Sequence, residues 1–230
     1  MKVLSASDIR ILVRLMTSKG YVVNDKPYQL NIIGIRSNSV KPNSFDDTIR
    51  VFFKDDSNKW IGYSMNATTD AGTYWLQNPM MPKGTALLKA GQYVDAYSIG
   101  QHRGQYTALV QSKDVTVIRD YNRNAILDFN NGKEDKGMFG INIHRASVSG
   151  NTTTVDKYSA GCQVVQNPKD FDTLISLSKT HQSKYGNKFT YTLIDERALF
   201  RRKKLRAIVI GLSVLSLASI GYYISLKQRK

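Results

Sequence analysis

The sequence predicts a mostly-β or α+β domain with two peripheral helices, followed by a separate apolar segment at the C-terminal end. Three observations point there. Short runs rich in Ile, Val, Phe and Tyr recur between polar turn segments. Two stretches carry helical periodicity together with capping residues. The last thirty residues combine eight cations with a long uncharged run and contain no acid.

The first helix is expected in "SASDIRILVRLMTSKGY", beginning near Ser7 and ending at Gly20, with Ile9, Leu12, Val13 and Leu15 or Met16 facing a core. Strands are expected in "YQLNIIGIR", "TIRVFF", "KWIGYSM", "DVTVIRD", "GINIH" and "CQVV". The second helix is signalled by Asn167 as N-cap, Pro168 at the first helical position and Asp170 in the first turn. Phe171, Leu174 and Ile175 form its apolar face, His181 falls on its polar face, and Gly186 closes it. "KFTYTLIDE" alternates as a final strand. No internal repeat is visible.

Composition narrows the function classes. A single cysteine excludes an intramolecular disulfide framework, and no Cys/His cluster suits zinc. The 13 tyrosines and 8 phenylalanines supply apolar area for a core held by burial. The formal net charge is +15, but eight of the 33 Lys and Arg lie beyond residue 200, which leaves +7 for the rest. No basic stripe interleaves with aromatics, so no nucleic-acid partner is expected.

Ala207 to Leu226 is a run of twenty uncharged residues. At 1.5 Å per residue it spans about 30 Å, the hydrocarbon thickness of a bilayer. Tyr222 and Tyr223 lie near one end, and basic clusters flank both ends. The N-terminal residues, with Asp8 and no uninterrupted apolar region, do not read as a secretory signal. The expected organisation is a helix in residues 1–25 packed on a domain of residues 26–196. A basic juxtamembrane segment (197–206), a transmembrane helix (207–226) and a basic tail (227–230) follow. Five cations before the span against three after it place the domain on the cytoplasmic side.

The chemistry-bearing pattern is "GINIHRASVSGNTTTVDKYSAGCQVVQ", in which His144 ends one strand-like run and Cys162, 18 residues on, begins another. A thiol becomes a nucleophile when a neighbouring base takes its proton. Two sheet strands joined by this loop bring the pair together, and Gly161 permits close backbone approach. The alternative is a small buried cysteine and a structural histidine. His102, in "GQHRGQYTAL", is a further polar candidate for a cleft, and Arg145 suits bidentate pairing with a carboxylate.

A second loop, "DYNRNAILD", sets Asp120, Asn122, Asn124 and Asp128 at positions 1, 3, 5 and 9 of a calcium-loop spacing. Ala125 stands where such loops carry glycine, and Asn131 where they carry glutamate. A structural calcium and a plain Asn/Asp turn between strands are the two readings.

The His/Cys segment resembles the catalytic motif of the L,D-transpeptidases (YkuD-like enzymes). In these a histidine in an "IHG"-type strand precedes, by about eighteen residues, the cysteine of "SHGC". "NIH" supplies His144, and Ser159-Ala160-Gly161-Cys162 matches three of the four residues of the second element. "MNATTDAG" and Met81-Pro82-Lys83-Gly84-Thr85 resemble the family's substrate-approach region, so the likeness covers residues 48–166 in order. Ala160 replaces the second family histidine, Arg145 the glycine after His144, and Gln163 a small or β-branched residue.

The resemblance implies a β-sandwich or barrel with peripheral helices. It also implies acyl transfer on peptidoglycan stem peptides with no cofactor required. Cys162 would be the nucleophile, His144 its base and later acid, Gly161 and Cys162 the oxyanion donors, and Ser159 the residue fixing the turn. His102 and Arg145 would meet substrate. Wall peptides lie outside the cytoplasmic membrane, which conflicts with a cytoplasmic domain. Two resolutions are an anchor inserted the opposite way, leaving the domain periplasmic, and a phage lytic enzyme built into a lipid-containing virion. The alternative function is a non-catalytic membrane or virion structural protein that keeps a degenerate fold, a reading to which Ala160 and Arg145 lend themselves.

Overall fold

The structure is a computed structural model that describes residues 1–130 and 132–197. The chain divides into a compact unit of Met1–Ile194 and a second unit from Asp195 onward. No helix among the described residues is long and apolar enough to cross a membrane. The expected span at 207–226 and most of its basic flank lie outside the described residues.

The architecture is mostly β. Strands β1 (Lys2–Val3), β2 (Asn31–Arg36), β3 (Asp47–Lys54), β4 (Trp60–Thr68), β6 (Gly91–His102), β7 (Tyr106–Gln111), β10 (Ile143–Arg145), β11 (Gln163–Val165) and β12 (Phe189–Asp195) form one sheet. Their order is β1-β4-β11-β10-β7-β6-β12-β2-β3, and β3 also pairs with β4. That pairing joins β3 back to β4, so eight strands run round a closed ring, and β1 pairs with Tyr63 and Ser64 of β4 while β11 pairs with Ala67 and Thr68. Closure removes the exposed edges that an open sheet of this size would present. A second, three-stranded sheet, β5 (Thr85–Leu88), β8 (Val115–Asp120) and β9 (Glu134–Gly137), contributes Ala86, Leu88, Val115 and Val117 to the same core.

Helix α1 (Ala6–Ser18) begins one residue before the expected start near Ser7. Ser5 is the N-cap, and Ser5 and Asp8 close a reciprocal capping box. Ile9, Leu12 and Met16 are buried, whereas Leu15 is not. Helix α2 (Thr73–Gln77) is a short connector. Helix α3 (Pro168–Tyr185) starts at Asn167 as expected and buries Phe171, Leu174 and Ile175 in the main core.

His181 departs from its expected place on the polar face of α3. It is buried, and its Nδ1 accepts the Leu30 N–H at 3.0 Å, which pins the helix to the start of β2. Burial lowers its pKa. A neutral imidazole is therefore the acceptor that this buried amide requires.

A buried polar network joins residues on or next to several ring strands. Arg36 is 1% exposed; its Nε lies 2.7 Å from Asp70 Oδ1 and its Nη2 donates to Thr69 O at 3.0 Å. Asp47 accepts the Thr69 N–H and hydroxyl at 2.6 and 2.8 Å and the Ser37 N–H at 2.7 Å. Gln163 extends the network, donating to Thr69 O and Gly161 O and accepting from Tyr191 Oη at 2.7 Å. A hydrophobic residue at 163 would leave Tyr191 and Thr69 without these partners, which accounts for the glutamine there.

Removing one partner of a buried ion pair leaves an uncompensated charge. Arg36→Met should lower stability by about 3–5 kcal/mol in urea unfolding, and the double variant Arg36→Met/Asp70→Asn should recover much of that loss. Equal loss in the single and double variants would show that packing around the guanidinium, and not its charge, matters.

Candidate active site

Residues 137–145 alternate: Ile141 and Ile143 enter the core, which turns Asn142 and His144 to the opposite face. Gln111, at the end of β7, holds this segment in place. Its Oε1 accepts the Phe139 and Ile141 amides, both at 3.0 Å, and its own N–H donates to Asn142 Oδ1 at 2.9 Å. Strand β10 then pairs in parallel with β11, Ile143 opposite Gln163 and His144 opposite Val164. One step back in that register, Cys162 stands opposite Asn142. Cys162 thus shares a face with Asn142 and His144, diagonal to the histidine and within reach of a long side chain.

The turn before Cys162 is fixed as the sequence suggests. Ser159 Oγ donates to Cys162 O at 2.8 Å and accepts the Gly161 N–H at 3.1 Å. Gly161 has φ +120°, and a Cβ there would lie 1.9 Å from the Ala86 carbonyl oxygen on β5. Only glycine fits. The same geometry corrects one expectation: the Gly161 amide is engaged by Ser159 and is not an oxyanion donor.

Hydrogen bonding sets both histidine tautomers. His144 Nδ1 lies 2.8 Å from the Arg145 carbonyl oxygen, which can only accept. The proton therefore sits on Nδ1, and Nε2 carries the free lone pair. Tyr106 Oη lies 3.2 Å from the same Nδ1 and donates to the Arg145 carbonyl at 3.3 Å. His102 has the opposite arrangement. Because Asn142 Oδ1 is held by the Gln111 amide, Asn142 Nδ2 donates to His102 Nδ1 at 3.1 Å, leaving the His102 proton on Nε2. The two imidazoles stack with centroids 4.1 Å apart.

All three groups are neutral at rest. Burial, with His102 and Arg103 nearby, lowers the His144 pKa to about 3, against the opposing Arg145 carbonyl. Burial and Arg103 also lower that of His102. Burial pushes the Cys162 thiol up, opposed by the Asn142 amide and the Arg103 charge. Its Sγ lies 3.3 Å from the Gly140 carbonyl oxygen, to which the thiol hydrogen donates. Cys162 nevertheless remains half-buried, open to a cleft.

That cleft has a volume of about 410 Å³. Cys162, Asn142, His102 and Arg103 line it, with Met81, Gly84 and Thr85 from the segment read as a substrate approach. His144 and Arg145 are not on its wall. Arg145 departs from its expected role as a substrate ligand: its guanidinium packs 4.3 Å from the Tyr106 ring centroid, and its Nε is buried without a hydrogen-bond partner. Sequence reasoning missed Tyr106, Asn142 and Arg103. The alternation in "INIH" was the available signal for Asn142.

The second loop forms an Asn/Asp turn. Asn122 Oδ1 accepts the Asn124 amide, Asn124 Oδ1 the Ile126 amide, and Asp120 Oδ2 the Asp128 amide. Asn122 Nδ2 also donates to Asp128. Burial raises the pKa of Asp120, with the Asp128 charge acting the same way against the Asp128 amide. The oxygens that the calcium reading would use thus already accept amides of the loop itself, as the Asn/Asp-turn reading expects. Among the described residues, no group of three or more His, Cys, Asp or Glu is placed to hold a metal ion.

Two pH responses follow. Cys162 alkylation by iodoacetamide should keep rising with pH up to and beyond 9, since a raised pKa leaves little thiolate below it. A plateau near pH 7 would instead indicate a preformed thiolate–imidazolium pair. For stability, the unfolded His144 takes up a proton below the ordinary histidine value of 6.5 that the folded imidazole refuses until about 3. Its contribution is present above pH 6.5 and is lost as pH falls through that window, with His102 and His181 acting in the same direction. Urea midpoints should fall between pH 7.5 and 5, less steeply in His144→Ala; a flat profile in the native chain contradicts this.

Comparison of the chain with family models, with curated proteins and with solved structures finds no match.

Proposed function

We propose that the protein is a membrane-anchored cysteine acyl-transferase or peptidase of the L,D-transpeptidase type, acting on peptidoglycan stem peptides. The observation that carries the reading is the His144 tautomer. The Arg145 carbonyl holds the proton on Nδ1, which leaves Nε2 as a base on the face it shares with Cys162. The motif residues His144, Ser159, Gly161 and Cys162 and the closed β ring around them are what the resemblance would require.

In this mechanism the carbonyl carbon of the scissile amide sits against Cys162 Sγ. Sulfur attacks as its proton passes to His144 Nε2, and the carbonyl oxygen gains negative charge. Collapse breaks the C–N bond, and the leaving amine takes the proton from His144. The resulting thioester is cleaved by water or by an acceptor amine, whose proton His144 removes in turn. A histidine neutral at pH 7 is wholly in its base form, so no prior ion pair is needed. Arg145 contributes its backbone carbonyl, and Tyr106 supports that carbonyl from the other side.

Residues 207–226 are the proposed anchor. The domain is proposed to lie on the cytoplasmic side or inside a lipid-containing virion that meets the wall at infection. The test is mass spectrometry of muropeptides incubated with the full-length protein. Loss of a terminal D-residue, or a new cross-link, should appear with the native chain. Cys162→Ala should abolish it, and His144→Ala should slow it by about 10²–10⁴-fold. Unchanged muropeptides from several wall types would leave a non-catalytic membrane or virion structural protein as the function.

A further inference from the structure

The walls of the Cys162 cleft carry two arginines and no Asp or Glu. Arg119 is internally satisfied, donating to Asp135 at 3.0 and 3.2 Å and to the Gly84 carbonyl at 3.2 Å. Arg103 is different. It is exposed and makes no hydrogen bond or ion pair with any described residue, so its charge is uncompensated where the thiol opens.

Its backbone is equally unusual. Arg103 and Gly104 are the central residues of the turn joining β6 to β7, closed by the Gln105 N–H on the His102 carbonyl at 2.9 Å. Both have positive φ, +51° and +69°. Turns of this kind favour Asn, Asp or Gly at the first position, where a longer side chain is strained. An arginine held there against local preference, at the lip of a cleft, marks a functional position.

Resting on the acyl-transfer reading above, we propose that Arg103 is a specificity-determining residue that holds a carboxylate of the substrate beside the scissile bond. The guanidinium fork matches a carboxylate by two parallel hydrogen bonds, and its exposed place on the turn leaves it free to do so. Met80, Met81 and Met138, which line the same cleft, are exposed and adaptable, and suit the uncharged remainder of a peptide. Arg103 also opposes the burial that raises the Cys162 pKa, so the same charge serves binding and the emerging thiolate.

The test is binding to the full-length Cys162→Ala protein, which removes chemistry from the readout. The probe is a synthetic stem peptide in three forms: free acid, C-terminal amide, and side-chain carboxylate amidated. The free acid should bind at least tenfold more tightly than one amide, and which amide loses affinity identifies the carboxylate. In an added Arg103→Gln that preference should vanish, while Arg103→Lys should keep part of it. Equal affinity for all three forms, binding of none, or a preference unchanged by Arg103→Gln overturns the assignment. The two proposals fail separately. Preference without product from the native chain sinks the catalytic reading and leaves the carboxylate site; product without preference does the reverse.

Discussion

Three residues of parallel pairing, Ile143–Arg145 against Gln163–Val165, hold the rest of this structure in register. They complete the ring between β7 and β4 and set Cys162 beside Asn142. Parallel neighbours cannot be joined by a tight hairpin. The intervening chain must travel out and return, and it does so through the turn that Ser159 and Gly161 lock against β5. The long His-to-Cys spacing is thus the length of a crossover, and the glycine before the cysteine is the point where that crossover touches the second sheet.

Electrostatics follows from this placement. Burial among His102, Tyr106 and the Arg145 carbonyl removes water from the His144 imidazole, and with His102 stacked on it a second positive charge is unfavourable. Asn142, accepting from the Gln111 amide and donating to His102, fixes the tautomer of His102, and the Arg145 carbonyl fixes the opposite tautomer of His144. Neutrality at rest has a consequence for chemistry: the thiolate forms as substrate is attacked, helped by the Asn142 backbone amide and by the Arg103 charge. Gln163 links this site to the buried Arg36 network through Thr69 and Tyr191, so the position of Cys162 depends on polar groups two strands away.

Much of the fold was legible because β2, β3 and β4 are runs rich in β-branched and aromatic residues, and α3 has an apolar face and capping residues at its start. The β6–β7 hairpin was not. Gly91–His102 mixes exposed and buried positions without clean alternation, and Asp95 adopts a positive φ within the strand. Missing that hairpin hid its turn, so Arg145, adjacent to His144 in sequence, was read as the substrate cation in place of Arg103. His181 was misread for a related reason: its partner is an amide 151 residues away, which no helical pattern encodes. The site was legible where chemistry depended on local order, at Ser159, Gly161, Cys162 and His144. Where it depended on strands brought together from afar, at Tyr106 and Asn142, it was not.

The central claim is that Cys162 carries an acyl group received with the help of His144. Intact-protein mass spectrometry of the full-length chain, acid-quenched during incubation with a stem peptide, tests it most directly. The account predicts an adduct of the acyl fragment's mass, mapped to Cys162, discharged by hydroxylamine and formed far more slowly in His144→Ala. Product formed with no adduct at Cys162 at any quench time, or an adduct whose rate ignores His144, would contradict it.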